Sequence, residues 1–257
     1  MLNSSQSAVL IAINIALSVA FLAVLRRVWP TASRRQHNDL IGWQITVLGT
    51  TYAVIIGFML FAVWTNFQVA EDNAAAEANS LVNVGRLADG LPAEARANIQ
   101  QLAAKYADLM VREEWPDMQH EDLSAAAKEV TRQLWAEVSR TEVQSPSQQI
   151  SLDHTINELT EMTEHRRVRQ LESRSKLPGV LWSVLIVGAV ITIMYSCLFG
   201  TENLTLHLVQ VCTLTLMLSL VLVAIAEINR PFQGTVHIPS DAFEQAKETL
   251  NGLISRH

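Results

Sequence analysis

The chain has 257 residues, 49% of them hydrophobic, and carries 19 Lys and Arg against 25 Asp and Glu for a net charge of −6. An acidic balance without a basic stripe lacks the electrostatic footprint that nucleic-acid binding needs, so no nucleic-acid partner is expected. The two cysteines, Cys197 and Cys212, show no CxxC or Cys/His spacing, which leaves neither a disulfide framework nor a metal site.

Four apolar segments set the class: Ala8–Leu25, Leu40–Trp64, Leu177–Phe199 and Leu204–Ala226, of 18, 25, 23 and 23 residues. At about 1.5 Å per residue each can cross a hydrocarbon core of roughly 30 Å. Backbone amides in lipid must be satisfied within their own segment, so each segment is predicted to be a helix. The first does not read as a cleaved leader, because no basic stretch precedes it and Arg26 and Arg27 close it without a small-residue cleavage site. It is expected to stay as a span.

Arg26–Asp39 follows as a short surface loop, stopped by Trp29-Pro30 and made basic by Arg26, Arg27, Arg34 and Arg35. The second span has no Gly or Pro break at its end, and Phe67, Ala70, Ala74, Ala78 and Leu81 continue its helical spacing out of the membrane. Gly90 and Pro92 end that helix and start another. The next carries Ile99, Leu102, Tyr106, Leu109 and Met110 on one face and is expected to stop at Trp115-Pro116. Asp122 is a candidate cap for a third helix with the stripe Leu123, Ala127, Val130, Leu134 and Val138. Gln144–Ser147, around Pro146, reads as a loop. From Ser151 a long helix, with Leu152, Ile156, Leu159 and Thr163 on one face, leads through Arg166, Arg167, Arg169, Arg174 and Lys176 to the third span.

The expected organisation is therefore a first transmembrane hairpin over 1–64, a polar helical domain over 65–176, a second hairpin over 177–226 and a tail over 227–257. Basic residues count four on the Arg26–Arg35 side and seven on the other, at Arg166, Arg167, Arg169, Arg174, Lys176, Arg230 and Lys247. The larger count places the termini and the middle domain in the cytoplasm, although the two arginines abutting the first span argue the other way.

Enzymatic signatures are missing: there is no HExxH, GxSxG, P-loop or glycine-rich dinucleotide turn, and the seven histidines are scattered. No catalytic residue, metal site or cofactor is expected. His207, one turn before Gln210, stands out as a titratable group inside a span.

The second span is the most informative. Gly49, Ala53 and Gly57 form a small-residue ridge suited to close helix packing, within or between subunits. On roughly the opposite face fall Gln44, Thr51, Ile55, Phe58, Ala62 and Thr65, a mixture that suits a narrow pore with apolar constrictions. The same polar groups could instead bond to backbone or neighbouring helices. Just beyond lie Glu71, Asp72 and Glu77, which in an oligomer would form an acidic collar at a pore mouth, or alternatively pair with Arg166, Arg167 and Arg169.

The run Glu77-Ala78-Asn79-Ser80-Leu81, then Arg86-Leu87-Ala88, Leu91-Pro92, Tyr106 and Glu113-Glu114-Trp115-Pro116, resembles the bestrophin-like family of bacterial and plant membrane proteins. Arg166-Arg167, Leu177-Pro178, Leu181-Trp182 and Pro231-Phe232-Gln233-Gly234 extend the resemblance over nearly the whole chain. Two positions depart from the family pattern: Asn229 stands where an acid is common, and Gly85 where an aromatic is common. The resemblance implies an all-α membrane protein of the bacterial inner membrane, forming a homo-oligomer, a pentamer by analogy, that passes small inorganic ions. It implies anions, whereas the acidic mouth favours cations. The alternative is a membrane-anchored interaction or sensory protein that conducts nothing.

Overall fold

The computed structural model describes residues 4–118, 123–174 and 176–256. The described residues are helical with short connections: α1 (Ser4–Val28), α2 (Thr31–Arg35), α3 (Asn38–Leu87), α4 (Ala93–Leu109), α5 (Trp115–Met118), α6 (Ala125–Arg140), α7 (Pro146–Glu172), α8 (Gly179–Leu198), α9 (Leu204–Ile228) and α10 (Asp241–Ile254). A π-helical turn, Met110–Glu114, joins α4 to α5. The helices fall into two compact units, one of Met1–Asn66 with Lys176–Asn229 and one of Phe67–Ser175 with Arg230–His257.

The first unit holds the four helices that are long and apolar enough to cross a membrane. α1, α8 and α9 pack on one another, with Leu22, Cys197 and Val211 buried where they meet. Two pairs of polar side chains lie between them: Asn14 Nδ2 donates to Ser219 Oγ over 3.3 Å, and Thr215 Oγ1 to Ser18 Oγ over 3.1 Å. Such pairing is what hydrocarbon demands of polar groups. α3 packs through Tyr52, Ile56 and Val63 against Leu185 and Ala189 of α8 and Ile225 of α9. At the foot of α9, Asn229 Oδ1 accepts from Leu177 N over 3.1 Å. Asn229 thus ties the end of α9 to the entry of α8.

In the second unit α4 lies between α6 and α10. The α6 stripe is buried as its spacing predicts, at Ala127, Val130, Leu134 and Val138. Its cap is Ser124, whose Oγ accepts from Ala127 N over 3.2 Å; the expected cap Asp122 lies outside the described residues. Three sequence expectations need correction. The helix before Trp115-Pro116 does not stop there but widens into the π turn and continues as α5, with Pro116 inside the continuous helix. The segment read as a loop around Pro146 is instead the start of α7: Ser145 caps Gln148 N, and Pro146 occupies the first helical position. Finally, the tail carries α10, whose Phe243, Ala246, Leu250 and Leu253 are buried. Leu250 reaches Gly85 so closely that a Cβ there would collide with its side chain. The space an aromatic at position 85 would claim is filled by Leu250.

Candidate functional site

Two arrangements carry the functional argument. The first is on α3. With 3.6 residues per turn, its packed line runs through Tyr52, Ile56 and Val63. Gly49, Ala53 and Gly57 fall about a quarter turn to one side of that line, and Gln44, Thr51, Ile55 and Ala62 about a quarter to a third of a turn to the other, with Phe58 and Thr65 further round toward the far side. Both flanks lie open in the chain by itself. Phe58 is 67% exposed, Thr51 is exposed, and Gln44, Ile55, Ala62 and Thr65 are half-buried. Ala53 is exposed, and a Cβ added at Gly49 or Gly57 would meet nothing within 4 Å among the described residues outside its own stretch of helix. The far side adds Trp43, Val47, Val54 and Phe61, all exposed.

The close approach that sequence reasoning missed is elsewhere. A Cβ at Gly188 of α8 would lie 2.5 Å from two ring carbons of Tyr52, and the Tyr52 hydroxyl donates to Leu185 O over 2.7 Å. Tyr52 therefore fixes the rotation of α3 about its own axis relative to α8. That rotation determines which side chains the two open flanks present. The available signal was a small residue among large apolar ones, with nothing in the sequence to name its partner.

The second arrangement is a buried charge cluster in the helical unit. Arg169 donates to Glu77 from Nε over 2.6 Å and from Nη2 over 3.2 Å, and both side chains are fully buried. Tyr106 Oη donates to Glu77 Oε1 over 2.5 Å and accepts from Arg166 Nη1 over 2.6 Å. Glu114 Oε1 meets Arg169 Nη2 at 3.2 Å and Arg166 Nη2 at 3.3 Å, while its Oε2 accepts from Ser124 N over 2.9 Å. The π turn gives Glu114 this reach, since its extra residue per turn brings both Met110 and Glu114 into the interior. Trp115 completes the wall beneath Arg169 and donates from Nε1 to Ile238 O over 2.9 Å, with Phe232 edge-on to it.

Burial works against the Arg169 charge, but Glu77 outweighs it together with Tyr106 and Glu114, and holds the guanidinium above its ordinary range. Burial and then the Glu77 charge push the Tyr106 phenol far up, so it remains a neutral donor. Breaking one partner from such a cluster leaves an unpaired charge in the interior, at a typical cost of about 3–5 kcal/mol.

This cluster corrects the expected collar. Glu77 is not at a mouth: its carboxylate is buried and both oxygens are engaged by Arg169 and Tyr106. Glu71 and Asp72 are exposed. Of the three arginines named as possible partners, Arg169 pairs with Glu77 and Arg166 with Glu114, whereas Arg167 pairs with Glu164 on the surface. Glu77, Tyr106, Glu114-Trp115, Arg166 and Phe232-Gln233, widely separated in sequence, thus meet in one core, and Gln233 Nε2 donates to Met118 O over 3.3 Å.

Fold and composition define an all-helical membrane protein. A family model described as Bestrophin-like domain matches residues 12–243, and the chain belongs to that family. Among solved structures it is similar to a bacterial bestrophin homologue from Klebsiella pneumoniae at a TM-score of 0.72 and 14% identity, covering 96% of this chain and 99% of that one. Two single-residue variants of that homologue match at TM-scores of 0.76 and 0.75, with 12% and 13% identity, covering 95% and 97% of this chain and 99% and 98% of theirs. At those identities the likeness is one of fold. No curated protein sequence matches the chain.

Proposed function

We propose that this protein is a homo-oligomeric ion channel whose pore is lined by the Thr51, Ile55 and Phe58 flank of α3. The observation that carries this reading is that the buried contacts of α3 with α8 and α9 run through Tyr52, Ile56 and Val63. On either side of that line lie an open small-residue ridge and a partly exposed face mixing Gln, Thr and apolar groups. In a ring of copies, the Gly49, Ala53, Gly57 ridge receives a neighbouring subunit and the opposite flank turns to the axis. Membership of the Bestrophin-like family and the fold shared with bestrophin homologues support the same arrangement. A pentamer is the expected ring.

Ile55 and Phe58 then form an apolar constriction that gates by dewetting, with Thr51 and Gln44 offering partial hydration before it. Past the apolar stretch, the exposed Glu71 and Asp72 set a negative potential for ions on that side. This favours cations, while family likeness favours anions, so the reversal potential decides the sign. The bilayer is the bacterial inner membrane, with the termini and the helical unit in the cytoplasm. Purified protein in planar bilayers is expected to show discrete currents. A sealed bilayer at a protein density that gives full incorporation would contradict conduction and favour an anchored interaction protein.

A further inference from the structure

Between α1, α8 and α9 lies a cleft of about 510 Å³ that the channel reading does not use. α9 is its floor, and each wall is fixed to that floor separately. On one side α1 runs antiparallel to α9, held by Asn14 Nδ2 on Ser219 Oγ at 3.3 Å and Thr215 Oγ1 on Ser18 Oγ at 3.1 Å. On the other, Leu177 N donates to Asn229 Oδ1 over 3.1 Å just before α8, and Leu185 and Ala189 of α8 pack with Ile225 of α9 and Tyr52 of α3. α1 and α8 meet at one end, where Leu22 packs with Cys197 and Val211. Toward the start of both helices they leave a gap, bounded from Phe21 to Leu10 on α1 and from Met194 to Trp182 on α8. With both walls held on α9, a small shift of either helix does not close it.

Every residue of the lining belongs to a helix long and apolar enough to cross a membrane, so the medium at the mouth of the cleft is hydrocarbon. Water is a poor filler there. Apart from the Trp182 indole, the polar residues of the lining are Asn14, Ser18 and Ser219; Asn14 and Ser219 bond each other, and the Ser18 hydroxyl donates to Asn14 O over 2.8 Å. A buried water needs two to four polar partners, and these are already engaged. An empty cleft forfeits dispersion contacts along both walls. Length points to the occupant: Leu10 to Phe21 rises roughly 16 Å at about 1.5 Å per residue, and one chain of a bilayer lipid reaches across about half of a hydrocarbon core of roughly 30 Å. The open end lies where α1 and α8 begin and α9 finishes, with Trp182 in the first turn of α8, a position that suits an aromatic ring near the headgroups. From Leu10 a shallower groove continues along α1 to the polar residues Ser5 and Gln6.

We propose that the cleft between α1 and α8 holds one acyl chain of a bilayer phospholipid as a structural ligand, with the headgroup at the end where the two helices begin. The chain lies on Leu218 and Leu222 of α9, between Leu17 of α1 and Ile186 and Val190 of α8, and these last three are exposed in the subunit by itself. Over this stretch the lipid supplies the contact between α1 and α8 that protein side chains supply at Leu22 and Cys197. A chain too short to reach Phe21 leaves part of both walls bare, so the site selects for chain length. The proposal does not depend on conduction, because the cleft takes no residue from the α3 flanks assigned to the pore and to the subunit interface. The competing occupant is a side chain from a neighbouring subunit.

The test is native mass spectrometry and thermal unfolding of the full-length protein, stripped of lipid in detergent and titrated with dioleoyl- or dioctanoyl-phosphatidylethanolamine. Dioleoyl lipid should be retained at one molecule per subunit and raise Tm saturably. Dioctanoyl lipid should bind at least about tenfold more weakly, a difference that about two buried methylenes already make. Val190→Trp fills the cleft and should abolish retention, whereas Val187→Trp, exposed on the same helix but outside the lining, should keep it. Should Val190→Trp fail to fold, Ile186→Trp takes its place. With lipid brominated along its chains, the fluorescence lost on binding should be smaller in Trp182→Phe than in the unaltered protein. Equal retention in the Val190 and Val187 variants would overturn the proposal, as would a Tm that dioleoyl lipid leaves unchanged. So would an unaltered protein that retains no lipid while Val190→Trp lowers the oligomer mass, a result that would assign the cleft to a neighbouring subunit.

Discussion

Tyr52 of α3 presses the Cδ2 and Cε2 atoms of its ring against Gly188 of α8, with no room between them for even a methyl group. Its hydroxyl is spent on Leu185 O, so the ring is held at both ends. Since Tyr52 sets the rotation of α3, it also determines that Phe58 and Gly57 face away from the subunit's own helices. Gly188→Ala should therefore push α3 off α8 and cost about 1–3 kcal/mol, the usual range for overpacking. Thermal melting in detergent checks it, and an unchanged Tm would show that α3 rotates to accommodate the methyl group.

The buried cluster predicts a sharp contrast among acids that look alike in sequence. Glu77→Ala strands Arg169 and should destabilise by about 3–5 kcal/mol. Replacing Glu71 and Asp72 together by Gln should alter stability by less than about 0.5 kcal/mol, as exposed substitutions usually do. Urea or thermal unfolding of the two variants side by side is the measurement. Equal effects would mean that Glu77 is not in the core.

The same Glu71 and Asp72 double substitution has an electrical counterpart. If those carboxylates bias the ions that enter, removing them should shift the reversal potential toward anions. The shift should be larger at low salt, because fixed charge acts over a Debye length of about 10 Å at 0.1 M and about 30 Å at 0.01 M. A reversal potential that stays put at the lower salt would remove them from selectivity.

Assembly rests on the small-residue ridge. Gly57→Leu puts a large side chain where a neighbouring helix would approach, and should lower the oligomer mass read by light scattering in detergent. It should leave the monomer's own fold intact, because a Cβ there would meet no described residue beyond its own stretch of helix within 4 Å. An oligomer of unchanged mass would place the interface on another face.

Much of the fold was legible in the sequence, and the reasons it failed elsewhere are local. The spans were readable because twenty or so apolar residues in a row admit one structure in lipid, and the missing break after Trp64 announced the 50-residue α3. The π turn at Met110–Glu114 was not readable, since a widened turn leaves no compositional mark and is selected by the Arg169 and Arg166 contacts it makes. Pro146 misled because proline marks a loop and a first helical turn equally well; Ser145 before it was the deciding signal. The α10 stripe of Phe243, Ala246, Leu250 and Leu253 was present in the pattern and passed over as tail. At the candidate site, the faces of α3 could be drawn from helical periodicity alone. The burial of Glu77 could not, because its partners Tyr106 and Arg169 are 29 and 92 residues away.

The most direct measurement is single-channel or liposome-flux recording of Ile55→Ala and Phe58→Ala beside the unaltered protein. Phe58 is exposed and Ile55 half-buried in the subunit, and shortening either should raise basal conductance by weakening a dewetted constriction. Conductance that is unchanged in both variants, with oligomer mass and Tm preserved, would contradict the placement of α3 along a pore.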